Sequence, residues 1–189
     1  MDSKSPMKVK GTGALALQAF ITSRYEDRFT AWLDAMPPAS RAIYGNPILA
    51  FELYSVEDAL ILPTEAMCTL FYGGDEHGAW ESGHFSAGYA LNSFYKIFFR
   101  FGSPQFIIDR ASRVFSTYYP EGELRVADKS ENRCVLRLVK FREPHRVIEQ
   151  NIAGWMDGAL ELMGKKDRDV AMTRRMTKGD AFTEYVATW

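Results

Sequence analysis

Residues 124–163 show a change of periodicity that indicates the fold class, and they read LRVADKSENRCVLRLVKFREPHRVIEQNIAGWMDGALELM. On both sides of a polar turn at 128–132, apolar and polar residues alternate as in a half-buried strand. From Pro144 to Met163 the apolar residues instead recur at helical spacing, and Gly164 supplies a C-terminal stop. The pattern therefore predicts a β-hairpin followed by a helix, with a buried stripe formed by Ile148, Ile152, Trp155, Ala159 and Leu162.

Two further strands are predicted after this helix. Val170, Met172 and Met176 alternate with other residues, Lys178-Gly179-Asp180 supplies a turn, and residues 182–189 close the chain as a last strand. The order strand-strand-helix-strand-strand is typical of an antiparallel four-stranded sheet with helices packed on one face. We therefore expect an α+β fold in two layers.

The N-terminal half is predicted to be helical. One helix runs from Ala14 until Pro37-Pro38 stops it, and a short one covers 64–72 and ends at Gly73-Gly74. A third helix is expected over 78–101, and a fourth starts at Ser103-Pro104.

The composition indicates one globular domain, because 47% of the residues are hydrophobic and 25% are charged. We expect a flexible N-terminus over residues 1–10 and a single domain over 11–189. The net charge of -1 gives no positive field for nucleic acid. No signal peptide or membrane span is predicted, and Cys68 and Cys134 are interpreted as reduced core thiols, so we expect a cytoplasmic protein.

Three groups of polar residues are candidates for a reactive or binding site. His77, Glu81 and His84 are helically spaced, but about 10 Å of helix rise separates the histidines, whereas metal ligands lie about 2 Å from one ion. Glu121 and Glu123 are interpreted as strand-entry residues facing water. A basic cluster is interleaved with acids, which favours a solvated strand face over an anionic partner; it comprises Lys165, Lys166, Arg168, Arg174, Arg175 and Lys178.

No motif for nucleophilic catalysis is present around any serine. A cysteine paired with a distant histidine stays open as an alternative, but apolar thiols are usually inert packing. We therefore predict no catalytic residue, no metal and no enzyme.

Two features of the helices favour binding. Aromatic side chains of the third and fifth helices are candidates for the wall of an apolar cavity, although a filled core is the alternative; they are Phe94, Tyr95, Phe98, Phe99 and Trp155. Gly154 and Gly158 lie four residues apart, so another backbone can approach them closely, the alternative being packing on the domain's own sheet. Asp157 is expected to point away from the core.

Segments of the C-terminal half resemble the ending of 4-vinyl-reductase-type domains. They are 154–162, 170–173 and 178–185. That superfamily also contains haem-NO-binding domains and TRAPP vesicle-tethering subunits. The middle of the chain resembles an uncharacterised bacterial family prominent in myxobacteria, through Tyr95-Lys96, Gly102-Ser103-Pro104, Arg110-Ala111 and Tyr118-Tyr119. The resemblance implies a two-layer fold, dimerisation and an apolar cavity for ligands.

The chain departs from the superfamily where cofactors would bind. Arg175 and Thr183 stand where the resemblance implies cysteines, and there is no YxSxR motif of the kind that holds haem propionates. We therefore expect no cofactor. Cys68 is the candidate that the resemblance offers for carrying an acyl chain, as in TRAPP-like subunits.

The favoured hypothesis is a non-catalytic bacterial domain that senses or regulates by binding an apolar small molecule or an acyl chain. The alternative is a dimeric protein-protein interaction scaffold with a filled core. A homodimer is expected in both cases.

Overall fold

A computed structural model describes residues 5–90, 108 and 110–189. The helices are α1 (Gly11–Tyr25), α2 (Phe29–Asp34), α3 (Pro38–Tyr44), α4 (Leu62–Tyr72), α5 (His77–Ala90), α6 (Ala111–Tyr118) and α7 (Arg146–Leu162). The strands are β1 (Lys8–Lys10), β2 (Leu53–Ser55), β3 (Glu123–Lys129), β4 (Arg133–Val139), β5 (Asp169–Arg174) and β6 (Thr183–Thr188). No described helix is long and apolar enough to cross a membrane.

The C-terminal sheet confirms the predicted α+β character and the strand-strand-helix-strand-strand order. Its four strands are antiparallel in the order β3-β4-β6-β5, with α7 in the connection from β4 to β5. Leu136 of β4 lies opposite Tyr185 of β6, and both are buried. The inward side chains of alternate residues therefore form a continuous apolar surface.

Residues 7–10 are part of the domain rather than a flexible segment. Strand β1 pairs with β2, and Met7 and Val9 on either side of Lys8 are fully buried. The Met7 backbone N–H also donates to Glu143, 2.7 Å away. The expectation of flexibility over residues 1–10 is wrong for 7–10, because the apolar residues of so short a strand are recognisable only beside their distant partner.

The helical half is more divided than the sequence predicts. A 3₁₀ turn over Glu26–Arg28 separates α1 from α2, and a π-helical turn over Glu57–Ile61 leads into α4. Buried polar side chains join these pieces: Trp32 Nε1 donates to the Pro63 carbonyl at 2.9 Å, and Tyr44 Oη to the Ala59 carbonyl at 2.6 Å. The third predicted helix agrees with α5 as far as Ala90, and its remainder and the start of the fourth lie outside the described residues.

Helices α5 and α7 touch through their backbones at three glycines. A Cβ on Gly154 would lie 1.9 Å from the Trp80 carbonyl oxygen, and one on Gly158 would lie 2.6 Å from that of His84. From the other side, a Cβ on Gly83 would lie 2.0 Å from the carbonyl oxygen of Asn151. The close partner of these glycines is thus α5, and not the sheet.

Helix α7 is consequently buried on two faces. Asp157 is only 7% exposed and accepts a hydrogen bond from Arg168 Nε at 3.1 Å, while His84 Nε2 lies 3.3 Å away. The expectation that Asp157 points away from the core is wrong, because the apolar stripe marks one buried face and α5 covers another.

The glycine contact predicts a large difference between two equivalent substitutions. Gly154→Ala should lower the free energy of unfolding by roughly 1–3 kcal/mol or more, since the methyl group forces the two backbones apart. Gly88→Ala on α5 should be neutral or stabilising by up to about 1 kcal/mol, because a Cβ there meets nothing within 4 Å. Urea unfolding of both variants measures this difference, and equal midpoints would contradict the close contact.

Candidate functional site

An apolar cavity of about 120 Å³ lies between the sheet and the helices. Its floor is formed by neighbouring strands, with Leu124 of β3, Cys134 and Leu136 of β4, and Ala187 of β6. Cys134 and Ala187 are cross-strand partners, and Cys134 and Leu136 are two residues apart. The period-two pattern read from the sequence therefore places all of these side chains on one face of the sheet.

The walls come mainly from α6 and α7. Ile148, Ile152 and Trp155 of α7 face the cavity at helical spacing. On the other side Phe115 stacks on Tyr119, with the ring centroids 5.0 Å apart. Burial raises the pKa of Tyr119, so its phenol stays neutral at physiological pH.

One edge of the cavity is polar but uncharged. Ser82 and Ser86 of α5 donate to the carbonyl oxygens of Ala79 and Gly83, at 3.0 Å and 2.8 Å. Asn151 of α7 donates to Ser82 Oγ at 3.0 Å. Among the described residues that line the cavity, none carries a charged side chain.

The structure brings together only part of the predicted pocket. Trp155 lines the cavity, whereas Phe94, Tyr95, Phe98 and Phe99 lie outside the described residues. Gly154 and Gly158 lie against α5 and hold α7 in position. The sequence analysis did not predict Tyr118, Tyr119 and Trp189 as lining residues. Phe115 and Tyr118 lie three residues apart, which is a helical spacing, so the sequence held a signal for these two wall positions that was not used.

Only one of the two cysteines is among the described residues that line the cavity. Cys134 lines the cavity and is fully buried, whereas Cys68 of α4 is not among the lining residues. Burial raises the pKa of Cys68 to about 11, so its thiol stays protonated near neutral pH. A backbone hydrogen bond at Ala79 and the charge of Arg146 lower this pKa, but burial outweighs them, so the described surroundings do not activate Cys68 as a nucleophile.

The other polar candidates are satisfied by neighbouring charges. His77 pairs with Glu81 at 3.4 Å, while His84 pairs with Asp157 and Glu161 on α7. Glu121 pairs with Arg142, and Glu123 with Arg125 and Lys140. In the described part of the chain, no group of three or more His, Cys, Asp or Glu side chains could hold a metal ion.

Among the described residues, Glu149 of α7 is the most buried charged side chain, with 1% exposed. Its carboxylate accepts hydrogen bonds from Arg175 Nε at 2.9 Å and from the hydroxyls of Thr177 and Thr183. Arg175 also donates to Glu76 at 3.0 Å, ahead of α5. This Glu149 cluster connects the C-terminal hairpin to both helices. Arg175 is thus a partly buried member of an ion-pair network, and does not lie on the solvated face predicted from the sequence.

Burial by itself would raise the pKa of Glu149, but the hydrogen bonds from Thr177, Thr183 and Arg175 outweigh it and hold the pKa below its ordinary value. The carboxylate is thus ionised and fully bonded in the folded protein. Such a group stabilises the fold and is a poor proton donor or acceptor for catalysis.

No family model matches the sequence, and no curated protein matches it. The fold is nevertheless similar to solved H-NOX structures. An H-NOX protein from S. oneidensis in the Fe(II)NO ligation state superposes with a TM-score of 0.73 at 12% identity, over 94% of this chain and 97% of that one. An unliganded Fe(II) H-NOX protein from K. algicida gives 0.71 at 7% identity, over 95% of both chains.

A T. tengcongensis H-NOX variant gives a TM-score of 0.64 at 14% identity, over 94% of each chain. Within the superfamily named from sequence, the likeness is thus to the haem-NO-binding fold. At these identities it shows the fold alone.

The described residues do not fit a haem. Histidine, a common axial ligand of haem iron, is absent from the described cavity lining, because none of the three histidines at 77, 84 and 145 is among the lining residues. The lining does hold Cys134 and Tyr119, so the misfit rests on the missing histidine, on charge and on size. No described lining residue is a cation that could pair with a propionate. The volume of about 120 Å³ is also below the roughly 300–1,000 Å³ of pockets for larger ligands.

We expect hemin added to the purified protein to give no sharp Soret band and no stoichiometric binding. Absorbance titration measures this, with a haem-binding globin as the positive control. A saturable Soret shift at one equivalent would contradict the prediction.

The lowered pKa of Glu149 predicts that the folded protein loses stability at acidic pH. Unfolding returns the carboxyl to its ordinary pKa, so the unfolded chain binds the proton first and stability falls as the pH drops below about 5. Glu149→Gln should lower the free energy of unfolding at pH 7 by about 3–5 kcal/mol, because Arg175 loses its buried partner. The free energy of unfolding of this variant should also fall less steeply than that of the wild-type protein as the pH drops below about 5.

Glu57→Gln, at an exposed glutamate, is the matched control and should change neither quantity by more than about 0.5 kcal/mol. Denaturant unfolding at several pH values measures both variants. An unchanged acid limb in Glu149→Gln would show that other carboxyls control acid unfolding.

Proposed function

We propose that this chain is a non-catalytic sensory or regulatory domain that binds a small apolar molecule in the cavity between α6, α7 and the sheet. The observation that carries the proposal is the cavity itself, with an apolar lining drawn from both halves of the chain. A ligand in the cavity would contact α7, which packs on both the sheet and α5. A shift of α7 on binding would change the shape or the assembly of the domain.

The energetics of the cavity favour a binding site over a filled core. Empty apolar space costs about 24 cal/mol per Å³, so a cavity of about 120 Å³ costs on the order of 3 kcal/mol. A scaffold that acts only through its surface has no use for such a space. The ligand hypothesis explains it, whereas the dimeric scaffold alternative does not.

The fold similarity supports a sensory function without specifying the ligand. The H-NOX structures include Fe(II)NO and Fe(II)CO ligation states, so that fold holds small ligands in those proteins. Among the described residues, neither a histidine nor a cationic side chain lines the cavity, and we propose that the protein binds its ligand directly. An acyl chain as ligand, a homodimer, and a cytoplasmic and bacterial setting stay predictions from the sequence.

A cavity-filling variant tests the proposal with benzene as the probe, since a dry apolar cavity of about 150 Å³ is large enough for benzene. Benzene should raise the Tm of the wild-type protein in a concentration-dependent way. Ala187→Leu should abolish that increase, because the longer side chain occupies the cavity floor.

Val186→Leu is the matched control, since residue 186 lies next to Ala187 on β6 and points to the opposite face of the sheet. It should retain the response to benzene. An unchanged wild-type Tm at saturating benzene, or an equal response in both variants, would contradict binding in this cavity.

A further inference from the structure

Trp155 combines two features that together bear on the chemistry of the ligand. Its ring lines the cavity, and its Nε1–H is buried without a hydrogen-bond partner among the described residues. An indole N–H can only donate. A buried donor left unpaired is rare and costly, so its partner is to be sought outside the described chain.

Water is a poor candidate for this partner. A buried water needs two to four polar groups around it. The neighbours of Trp155 along the helical net include Ile152 and Ala159, which are apolar, and Asn151, whose amide N–H groups point to Ser82 and the Ala79 carbonyl. A ligand with an apolar body and one acceptor fits these surroundings better than water does.

The rest of the lining limits the charge of the ligand. No described lining side chain is ionised, and burying an unpaired charge in apolar surroundings is strongly unfavourable. The hydroxyls of Ser82 and Ser86 are committed to backbone carbonyls of their own helix. A carboxylate or ammonium group therefore has no described counter-ion in the cavity.

We propose that the cavity selects an uncharged, mainly hydrocarbon molecule with one hydrogen-bond acceptor, such as a carbonyl or ether oxygen, that accepts from Trp155 Nε1–H. This inference rests on the proposed function and specifies the ligand class of the same cavity. The cavity volume of about 120 Å³ is close to the roughly 150 Å³ of a cavity that holds benzene, which limits the ligand to about the size of one six-membered ring.

Three probes of one ring size test the proposal: cyclohexanone, methylenecyclohexane and cyclohexanecarboxylate. The first two differ only in an oxygen atom in place of a CH₂ group. In NMR spectra of the four tryptophan indoles, cyclohexanone should move the Trp155 N–H resonance downfield, and methylenecyclohexane should not. Cyclohexanecarboxylate should show no saturable binding.

Trp155→Phe keeps an aromatic ring and removes the donor. The affinity of cyclohexanone relative to methylenecyclohexane should fall about threefold to tenfold in this variant, as expected for one net hydrogen bond. Trp189→Phe removes an indole from the same cavity and is the matched control, in which that ratio should stay within about twofold.

The outcomes separate this inference from the proposed function. Binding of both neutral probes with no Trp155 shift and an unchanged ratio overturns the inference and leaves the cavity a binding site. Tightest binding of cyclohexanecarboxylate also overturns the inference. Failure of every probe, benzene included, overturns the proposed function itself. If Trp155→Phe does not fold, the indole resonance of the wild-type protein decides.

Discussion

The direct backbone contact between α5 and α7 sets how the helical half of the chain packs on the C-terminal half. Three glycines let two helices approach until side chains no longer separate them, at Gly83, Gly154 and Gly158. One face of α7 is thereby fixed on the helical half of the chain, and its apolar stripe faces the sheet, except for Leu162, which is 45% exposed and not buried as the sequence predicts. The cavity lies where that stripe and α6 meet the strands, so its position follows from the glycine contact.

The Glu149 cluster fixes the position of the last two strands relative to α7. Arg175 and Thr183 both bond to Glu149, and these are the two positions at which the resemblance to 4-vinyl-reductase-type domains implies cysteines. A buried carboxylate with its hydrogen-bond donors thus lies where that resemblance implies thiolates. Loss of either partner of a buried ion pair is strongly destabilising. The cluster therefore holds α7 and the last two strands in a fixed relative position.

The C-terminal half was predictable from sequence and the N-terminal half only in part. Strands β3 and β4 and helix α7 show their period over many residues and end at recognisable turns, so local pattern is sufficient there. The pairing of β1 with β2 joins short segments far apart in the chain, and Val9 has no local partner that would reveal its burial. The burial of Asp157 and Glu149 also depends on residues distant in sequence, since Arg168, Arg175 and Thr183 become partners only after folding. For the same reason the sequence suggested Trp155 as a wall residue but could not reveal its unpaired N–H.

The likeness to the H-NOX structures is one of overall architecture. A fold can keep an internal space while the side chains around it change, because the space is set by how helices and sheet pack, and the chemistry by a few lining residues. In this chain the packing is set by glycine contacts and the Glu149 cluster, which lie outside the cavity lining. The lining is therefore free to differ without loss of the fold, and among the described residues it consists of aliphatic, aromatic, sulfur-containing and neutral polar side chains.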